Sequence, residues 1–371
     1  MNIDTAYLEN GEKAIFEMRS LYQKYGYSRF KMSKFEEYDL YVENKDFLVS
    51  DNVITFTDTD GRLMALKPDV TLSIVNNSEV EEGGLLKAYY NENVYRVSKG
   101  SQSYKEIMQV GLECIGNVDD YCIYEVLMLA AQSLGTISES FVLDISHLGI
   151  LSGVLDSLNL SSSLRQKVEK CIGEKNIHTV SALLSAEGKD CDILKKLMST
   201  YGGCEKIRPV LEEIKNPSNE KYIDSLLEIV SNLENAGYKG KVRVDFSLIS
   251  DMNYYNGFVF KGFIEGISNG VLSGGQYDRL MEKMNKNSKA IGFAVYLDML
   301  ERLGETDREY DVDAVVLYDD RTSVETLNIG INKLVKEGKS VIALKNIPSK
   351  LKYRQLFKAL ERGVEEIENN A

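Results

Sequence analysis

Three residues of one predicted strand, Gln109, Gly111 and Glu113, have the chemistry to bind a small cationic group. The strand covers residues 107–115, and its apolar positions alternate with these three, so an extended chain places all three on one face. An amide and a carboxylate with a gap between them suit an ammonium or an imidazole group. The alternative is that this polar face of a hairpin is exposed to solvent.

Two adjacent tyrosines later in the chain, Tyr254 and Tyr255, are further candidate ligand contacts. On an extended segment they would point to opposite faces, so that one phenol lines a cavity while the other packs beneath it. Gly257 and the pair Gly274 and Gly275 would let the backbone approach a ligand closely. The alternative is a twisted antiparallel sheet with bulges and no ligand.

Asp69 and Arg96 could reach the same cavity. Residues 67–71 follow a predicted strand and open a helix, so Asp69 could either cap that helix or meet a ligand amine. Arg96 is near the end of the strand that pairs with the Gln109 strand. The alternative interpretation is that Arg96 is an ordinary surface arginine.

Composition excludes several other kinds of protein. A net charge of -13 argues against a surface built for nucleic acid, and no apolar run is long enough to span a membrane, so we expect a cytoplasmic protein. The two histidines, of which His178 falls in a helical region, make a histidine-based triad improbable on sequence grounds, and there is no phosphate loop of the GxxxxGK form. The five cysteines form no CxxC pair, so we expect reduced thiols and no metal.

Periodicity and turn residues predict the elements that position these residues. In chain order they are an amphipathic helix over 7–26, a hairpin of strands 55–57 and 63–66, a second hairpin of strands 87–97 and 105–115, a helix capped by Asp119 or Asp120 and running through 131, a strand over 141–146, an all-helical insertion over about 161–236, a sheet that resumes at 242, and a closing helix near 292–303. A small βαβα tail follows, with strands 314–317 and 341–344 and helices 324–336 and 351–366.

The order of these motifs resembles the histidyl-tRNA synthetase catalytic domain across roughly the first 300 residues. The resemblance implies an α+β fold: a class II aminoacyl-tRNA synthetase-like antiparallel sheet flanked by helices, in a domain of residues 1–303, with a truncated α/β domain at 311–371. It also implies a histidine pocket in which an acidic residue and a glutamine hold the α-amino group, and a glutamate and a tyrosine read the imidazole. On the matching positions the pocket residues are Asp69, Thr71, Arg96, Gln109, Glu113, Tyr254 and Tyr255.

Four departures from the family pattern concern catalysis and assembly. Ser250 stands where the family has an arginine that acts on the carboxylate and phosphate during adenylation, and Met299 stands where an arginine holds the ATP phosphates. Ser98 replaces a glutamate, and Ser33 replaces the proline of the dimer-forming motif. Loss of one such cation costs about 100-fold or more in rate, so we expect adenylation to be lost.

A synthetase-like chain with an amino-acid pocket but without these cations resembles the regulatory subunits of ATP phosphoribosyltransferase. That resemblance implies a non-catalytic protein without a cofactor, which self-associates as a dimer and joins a short-form catalytic subunit in a hetero-octamer of four regulatory and four catalytic chains. It further implies L-histidine as the feedback inhibitor and no action on tRNA. Two alternatives remain open: an active or divergent histidyl-tRNA synthetase-like adenylating enzyme, and a paralogue that binds another amino acid or partner.

Overall fold

An eight-stranded sheet, mostly antiparallel, forms the centre of residues 1–303, which make one of two compact units; the other is 304–371. The computed structural model describes residues 8, 10–48, 53–81, 83–97, 103–249, 254–303, 309–360 and 363–370. The order of the large sheet is β1-β5-β6-β11-β10-β9-β7-β8, and a separate three-stranded sheet has the order β2-β4-β3. Their strands are β1 (Ser28–Arg29), β2 (Phe35–Glu37), β3 (Thr55–Thr57), β4 (Leu63–Leu66), β5 (Leu85–Val97), β6 (Tyr104–Gly116), β7 (Phe141–His147), β8 (Val242–Val244), β9 (Phe258–Ile264), β10 (Leu272–Gln276) and β11 (Lys289–Tyr296). This architecture confirms the predicted class II synthetase-like fold.

Helices cover the face of the large sheet opposite the Glu113 side chain. A Cβ on Gly262 of β9 would lie 2.6 Å from Leu134, so this glycine lets a long helix pack directly on the strand. This long helix, α4 (Asp120–Ile137), is capped by Asp119, whose carboxylate accepts the Cys122 N–H, as the sequence indicated. The helices of this unit outside the insertion are α1 (Asn10–Lys24), α2 (Tyr38–Glu43), α3 (Thr71–Asn77), α4 (Asp120–Ile137) and α5 (Leu148–Ser157), with α11 (Asp278–Lys283) after the insertion and a short 3-10 helix at Lys45–Phe47.

The predicted helical insertion is present. Its helices are α6 (Ser162–Gly173), α7 (Ile177–Ala186), α8 (Asp192–Ser199), α9 (Cys204–Ile214) and α10 (Glu220–Leu233), and a π-helical turn at Glu234–Tyr238 ends it. The apolar side chains that recur along α10, including Leu226, Val230 and Leu233, are fully buried and belong to the same core as the sheet. Among the described residues, no helix is long and apolar enough to cross a membrane.

The predicted closing helix over 292–303 is wrong in its first half. Residues Lys289–Tyr296 form the central strand β11, and a 3-10 helix follows at Leu297–Leu303. Both faces of β11 are covered, so its sequence is a short, almost continuous apolar run. Periodicity alone does not distinguish such a run from a buried helix.

The unit of residues 304–371 contains a four-stranded sheet in the order β13-β12-β14-β15. The predicted elements β12 (Val312–Leu317), α12 (Val324–Lys336) and β13 (Val341–Leu344) are confirmed. The predicted helix over 351–366 is wrong, because that stretch forms the antiparallel strands β14 (Tyr353–Leu360) and β15 (Gly363–Asn369). Gly363 adopts φ +129°, a value that favours glycine, where the second strand begins.

Candidate functional site

A cavity of about 440 Å³ lies on the Glu113 face of the large sheet. It is bounded by strands β5, β6, β9, β10 and β11, by the start of α3, and by the segment before β9. Every one of the seven residues predicted from sequence lines it: Asp69, Thr71, Arg96, Gln109, Glu113, Tyr254 and Tyr255. Residues separated by up to 186 positions in sequence (69 to 255) therefore share one site.

Glycines make room for the cavity on its floor. Gly292 of β11 is in register with Glu113 of β6, and a Cβ at Gly292 would lie 1.7 Å from the Glu113 Oε2 atom. At Gly111 a Cβ would lie 2.2 Å from the backbone oxygen of Phe293. A larger residue at Gly111 would displace strand β11, and one at Gly292 would displace the Glu113 carboxylate. The two glycines therefore keep the cavity open above its floor, where the polar side chains face inward.

Glu113 is a buried carboxyl on the floor of the cavity. It is only 1% exposed, so the alternative of a solvated hairpin face is wrong. Its Oε1 accepts a hydrogen bond from Thr71 Oγ1 at 2.7 Å, and its Oε2 accepts one from Tyr277 OH at 2.5 Å. Burial raises the pKa of Glu113 from 4.5 to about 8, against the lowering effect of these two hydroxyls. A cationic ligand group at this position would favour the charged carboxylate.

Asp69 both caps a helix and faces the cavity. Its Oδ1 accepts the Leu72 N–H of α3 at 2.8 Å, which is the capping alternative raised by the sequence. The side chain is 8% exposed, and burial raises the pKa of its carboxyl. Arg96 contacts the same turn, since its Nε donates to the Pro68 carbonyl at 2.9 Å, and it also lines the cavity. The helix start therefore fixes a second carboxylate beside Glu113.

The two adjacent tyrosines do not behave as the sequence predicted. Tyr254 lies in a turn before β9, and its ring centroid is 4.6 Å from that of Tyr255 in an edge-on arrangement. Both rings line the cavity, so the expectation that one packs beneath the other on an extended segment is wrong. Tyr277, which donates to Glu113, was not among the predicted site residues. Its ring is 6.0 Å from that of Tyr254, and the signal for it was its place directly after β10.

The departures from the family pattern lie in different parts of the chain. Met299 is in the 3-10 helix after β11 and lines the cavity, whereas Ser33 is exposed before β2. Ser250 and Ser98 fall outside the described residues. Of the described residues that line the cavity, those with cationic side chains are Arg96 and Lys261.

Neither histidine lines the cavity. His147 caps α5, where its Nδ1 accepts the Gly149 N–H at 3.1 Å, and its ring stacks on Tyr222 at 4.7 Å between centroids. Burial lowers its pKa to about 4, so it is neutral near pH 7. His178 lies in α7 of the helical insertion. Among the described residues that line the cavity, the acid-base groups thus include carboxyls, phenols and the Lys261 ammonium, and no imidazole.

Comparison with known proteins shows the family and the fold of this chain. The family model described as Histidyl-tRNA synthetase matches residues 4–300. An ATP phosphoribosyltransferase regulatory subunit of Oceanobacillus iheyensis is 28% identical over 295 residues, which cover 77% of this chain and 72% of that protein. Among solved structures, an ATP phosphoribosyltransferase regulatory subunit/histidyl-tRNA synthetase from Bacillus halodurans superposes with a TM-score of 0.75 at 22% identity, covering 94% of each chain.

A second solved structure has the same fold. It is an ATP phosphoribosyl transferase complex from Thermotoga maritima, one chain of which superposes with a TM-score of 0.62 at 21% identity and covers 80% of this chain and 97% of its own length. At these identities the likeness to both solved structures concerns the fold. The family match spans most of the sequence, including every residue of the cavity. The chain belongs to the histidyl-tRNA synthetase family, and its similar curated relatives include regulatory subunits of ATP phosphoribosyltransferase.

Proposed function

We propose that this chain is a cytoplasmic, non-catalytic regulatory subunit of ATP phosphoribosyltransferase that binds L-histidine in the Glu113 cavity. The observation that carries the proposal is the presence of two buried carboxyls, Asp69 and Glu113, in a cavity that all seven expected histidine-pocket residues line and in which Met299 stands where the family resemblance implies a phosphate-binding arginine. The names of similar relatives support the same role. The protein would then serve the first step of histidine biosynthesis without performing it.

The contacts suit the α-amino group and the imidazole of histidine. Asp69 and Gln109 offer a carboxylate and an amide oxygen for the α-amino group, and both side chains are buried. Glu113, which already accepts from Thr71 and Tyr277, would meet the imidazole, with Tyr254 beside it. Charge-assisted hydrogen bonds of this kind are shorter and stronger than neutral ones.

The same cavity is poorly equipped to transfer an adenylyl group. Stabilisation of phosphoryl charge depends on positioned cations, and a thioether at position 299 supplies none. Ser250 replaces the second family arginine in the sequence. We therefore propose that the chain does not adenylate histidine and does not act on tRNA.

Regulation would operate through assembly with the short-form catalytic subunit. We propose a dimer of this chain within a hetero-octamer of four regulatory and four catalytic chains. Histidine can shift such an assembly toward an inactive state only by the difference between its affinities for the two states. A coupling of about 1 to 3 kcal/mol, equivalent to roughly 5- to 150-fold in affinity, would be sufficient for feedback inhibition.

Reconstitution tests this proposal. The short-form catalytic subunit would be assayed alone, with this chain, and with this chain plus L-histidine. We expect activity to require the chain and to fall on addition of histidine, with inhibition lost in Glu113→Ala and kept in Glu139→Ala, an exposed carboxylate outside the cavity. A catalytic subunit that is equally active and equally inhibited without this chain would refute the role.

The second candidate function is an active or divergent histidyl-tRNA synthetase-like adenylating enzyme. The presence of Arg96 in an otherwise retained amino-acid cavity favours it. A pyrophosphate-exchange assay with histidine and ATP separates the two functions. We expect no exchange above background, and robust exchange would establish the adenylating enzyme instead.

A further inference from the structure

One row of residues crosses the sheet beneath the cavity and ends in charges. Strand pairing places its members directly opposite one another on the Glu113 side of the sheet. In spatial order from β6 to β7 they are Gly111, Ala294, Ser273, Lys261 and Asp144. Gly111, Ala294 and Ser273 are small and form the floor of the cavity. Lys261, which also lines the cavity, is therefore the first long side chain on that side.

Lys261 lines the cavity, and its ammonium lies 5.7 Å from the centroid of the Phe263 ring although an aspartate lies opposite it on the neighbouring strand. Asp144 is engaged by Arg243, whose Nε and an Nη donate to its two oxygens at 2.9 and 3.3 Å. Within the described part of the chain, Lys261 makes no ion pair with Asp144. Its stem runs instead along Gly270, where a Cβ would lie 2.3 Å from Lys261 Cε. Only a glycine at 270 leaves this path open, and Gly270 also lines the cavity.

Two hydroxyls complete an anion-binding group at this end. Ser273 lies opposite Lys261 on the neighbouring strand, and its Oγ is 2.7 Å from Tyr296 OH. Both hydroxyls line the cavity. An ammonium and rotatable hydroxyls are donors for a carboxylate, just as Asp69 and Glu113 at the other end are acceptors for cations. The cavity therefore has a carboxyl end, formed by Asp69 and Glu113, and a donor end, formed by Lys261, Ser273 and Tyr296.

We propose that Lys261, with Ser273 and Tyr296, holds the carboxylate of the amino-acid ligand, the part of recognition for which Ser250 supplies no cation. This inference rests on the proposed function and names a specificity-determining residue for it. Glu113 and Lys261 are three strands and two residues apart, a Cα separation of roughly 16 Å at ordinary strand spacing. The two side chains are thus too far apart to pair with each other, which leaves room for a ligand between them. Arg96 is the competing candidate, but its guanidinium donates to the Pro68 carbonyl beside Asp69, at the carboxyl end.

The test compares L-histidine with L-histidinol, which keeps the amine and imidazole but lacks the carboxylate. Titration calorimetry would use the full chain and Lys261→Met. We expect the wild type to prefer histidine by at least about tenfold. Lys261→Met should lose that preference while keeping its affinity for histidinol, which also shows that the variant is folded. Lys289→Met, an exposed lysine at the start of β11, is the matched control and should behave as wild type. Gly270→Ala should mimic Lys261→Met, because the new methyl group displaces the lysine stem.

The other possible results distinguish carboxylate binding by Lys261 from carboxylate binding by Arg96 and from phosphate binding. An unchanged preference for histidine in Lys261→Met overturns the assignment of the carboxylate, and loss of that preference in Arg96→Met alone transfers it to the arginine. Loss of ATP binding by Lys261→Met with an unchanged histidine-to-histidinol ratio assigns the lysine to a phosphate and also overturns it. Absence of binding of both ligands by the wild type and by its complex with the catalytic subunit refutes the proposed function itself, and the inference with it.

Discussion

Replacement of Glu113 by glutamine should change how the stability of the protein depends on pH. The substitution keeps the size of the side chain and removes its ability to ionise, and a glutamine can still accept from Thr71 or Tyr277. In the folded protein burial raises the pKa of this carboxyl to about 8 from its ordinary value of 4.5. The folded state therefore holds a proton that the unfolded chain releases, so stability falls as pH rises.

The magnitude follows from this difference in proton affinity. Each tenfold change in affinity corresponds to about 1.4 kcal/mol, so the wild type should lose roughly 5 kcal/mol as pH rises from below 4.5 through 8. The contribution is fully present below the unfolded value and is lost above the folded one. Glu113→Gln should show none of this loss and should be the more stable of the two at pH 8.

Urea unfolding of the ligand-free chain at intervals between pH 5 and pH 9 would measure the effect. The quantity of interest is the difference in unfolding free energy between wild type and Glu113→Gln, since other groups contribute equally to both. Glu139→Gln, an exposed carboxyl, is the control and should give a difference near zero throughout. A pH-independent difference between wild type and Glu113→Gln would refute the conclusion that burial holds this carboxyl protonated.

Three further predictions concern other parts of the same unit. Gly292→Ala should weaken histidine binding, measured by calorimetry, at least about tenfold, because the new methyl group would lie 1.7 Å from the Glu113 carboxylate. The control, Gly11→Ala, has open space around the new methyl group and should bind histidine as the wild type does. Lys67→Met should lower the unfolding free energy by roughly 3 kcal/mol. The lysine is fully buried, and its removal would leave the Glu92 carboxylate, 3.2 Å away on β5, without its counter-charge. A change in unfolding free energy below the error of a urea titration would contradict this. Burial lowers the pKa of the His147 imidazole from 6.5 to about 4, so the wild type should lose roughly 3 kcal/mol of unfolding free energy as the pH falls between those values. His147→Asn should not show this loss. An equal fall of unfolding free energy with pH in both proteins would be the contrary result.

The sequence was most informative where a local pattern determines the outcome. The alternation along β6 predicted both the strand and the shared face of Gln109 and Glu113, because side chains two residues apart on a strand point to the same side. The order of motifs then identified the family and the seven cavity residues. Whether the polar face was buried depended on what covers the sheet, which no local pattern contains.

The errors arose where long-range pairing decides. Residues 351–366 are rich in charged side chains that also suit a helix, but β12 pairs with Tyr353–Leu360 and turns the stretch into strand. The run Lys289–Tyr296 is covered on both faces and so has no clear period. Tyr277 and Lys261 were missed for a related reason, since their contact with the cavity depends on strand register and not on their sequence neighbours.

The central claim is that the Glu113 cavity binds histidine. Calorimetric titration of L-histidine into wild type, Glu113→Ala and Glu139→Ala tests it most directly, with the chain alone and in complex with the catalytic subunit. We expect wild type and Glu139→Ala to bind alike and Glu113→Ala to bind about 100-fold more weakly, a loss of roughly 3 kcal/mol expected when the hydrogen-bonding partner of a buried ligand group is removed. Equal binding of histidine by wild type and Glu113→Ala would contradict it.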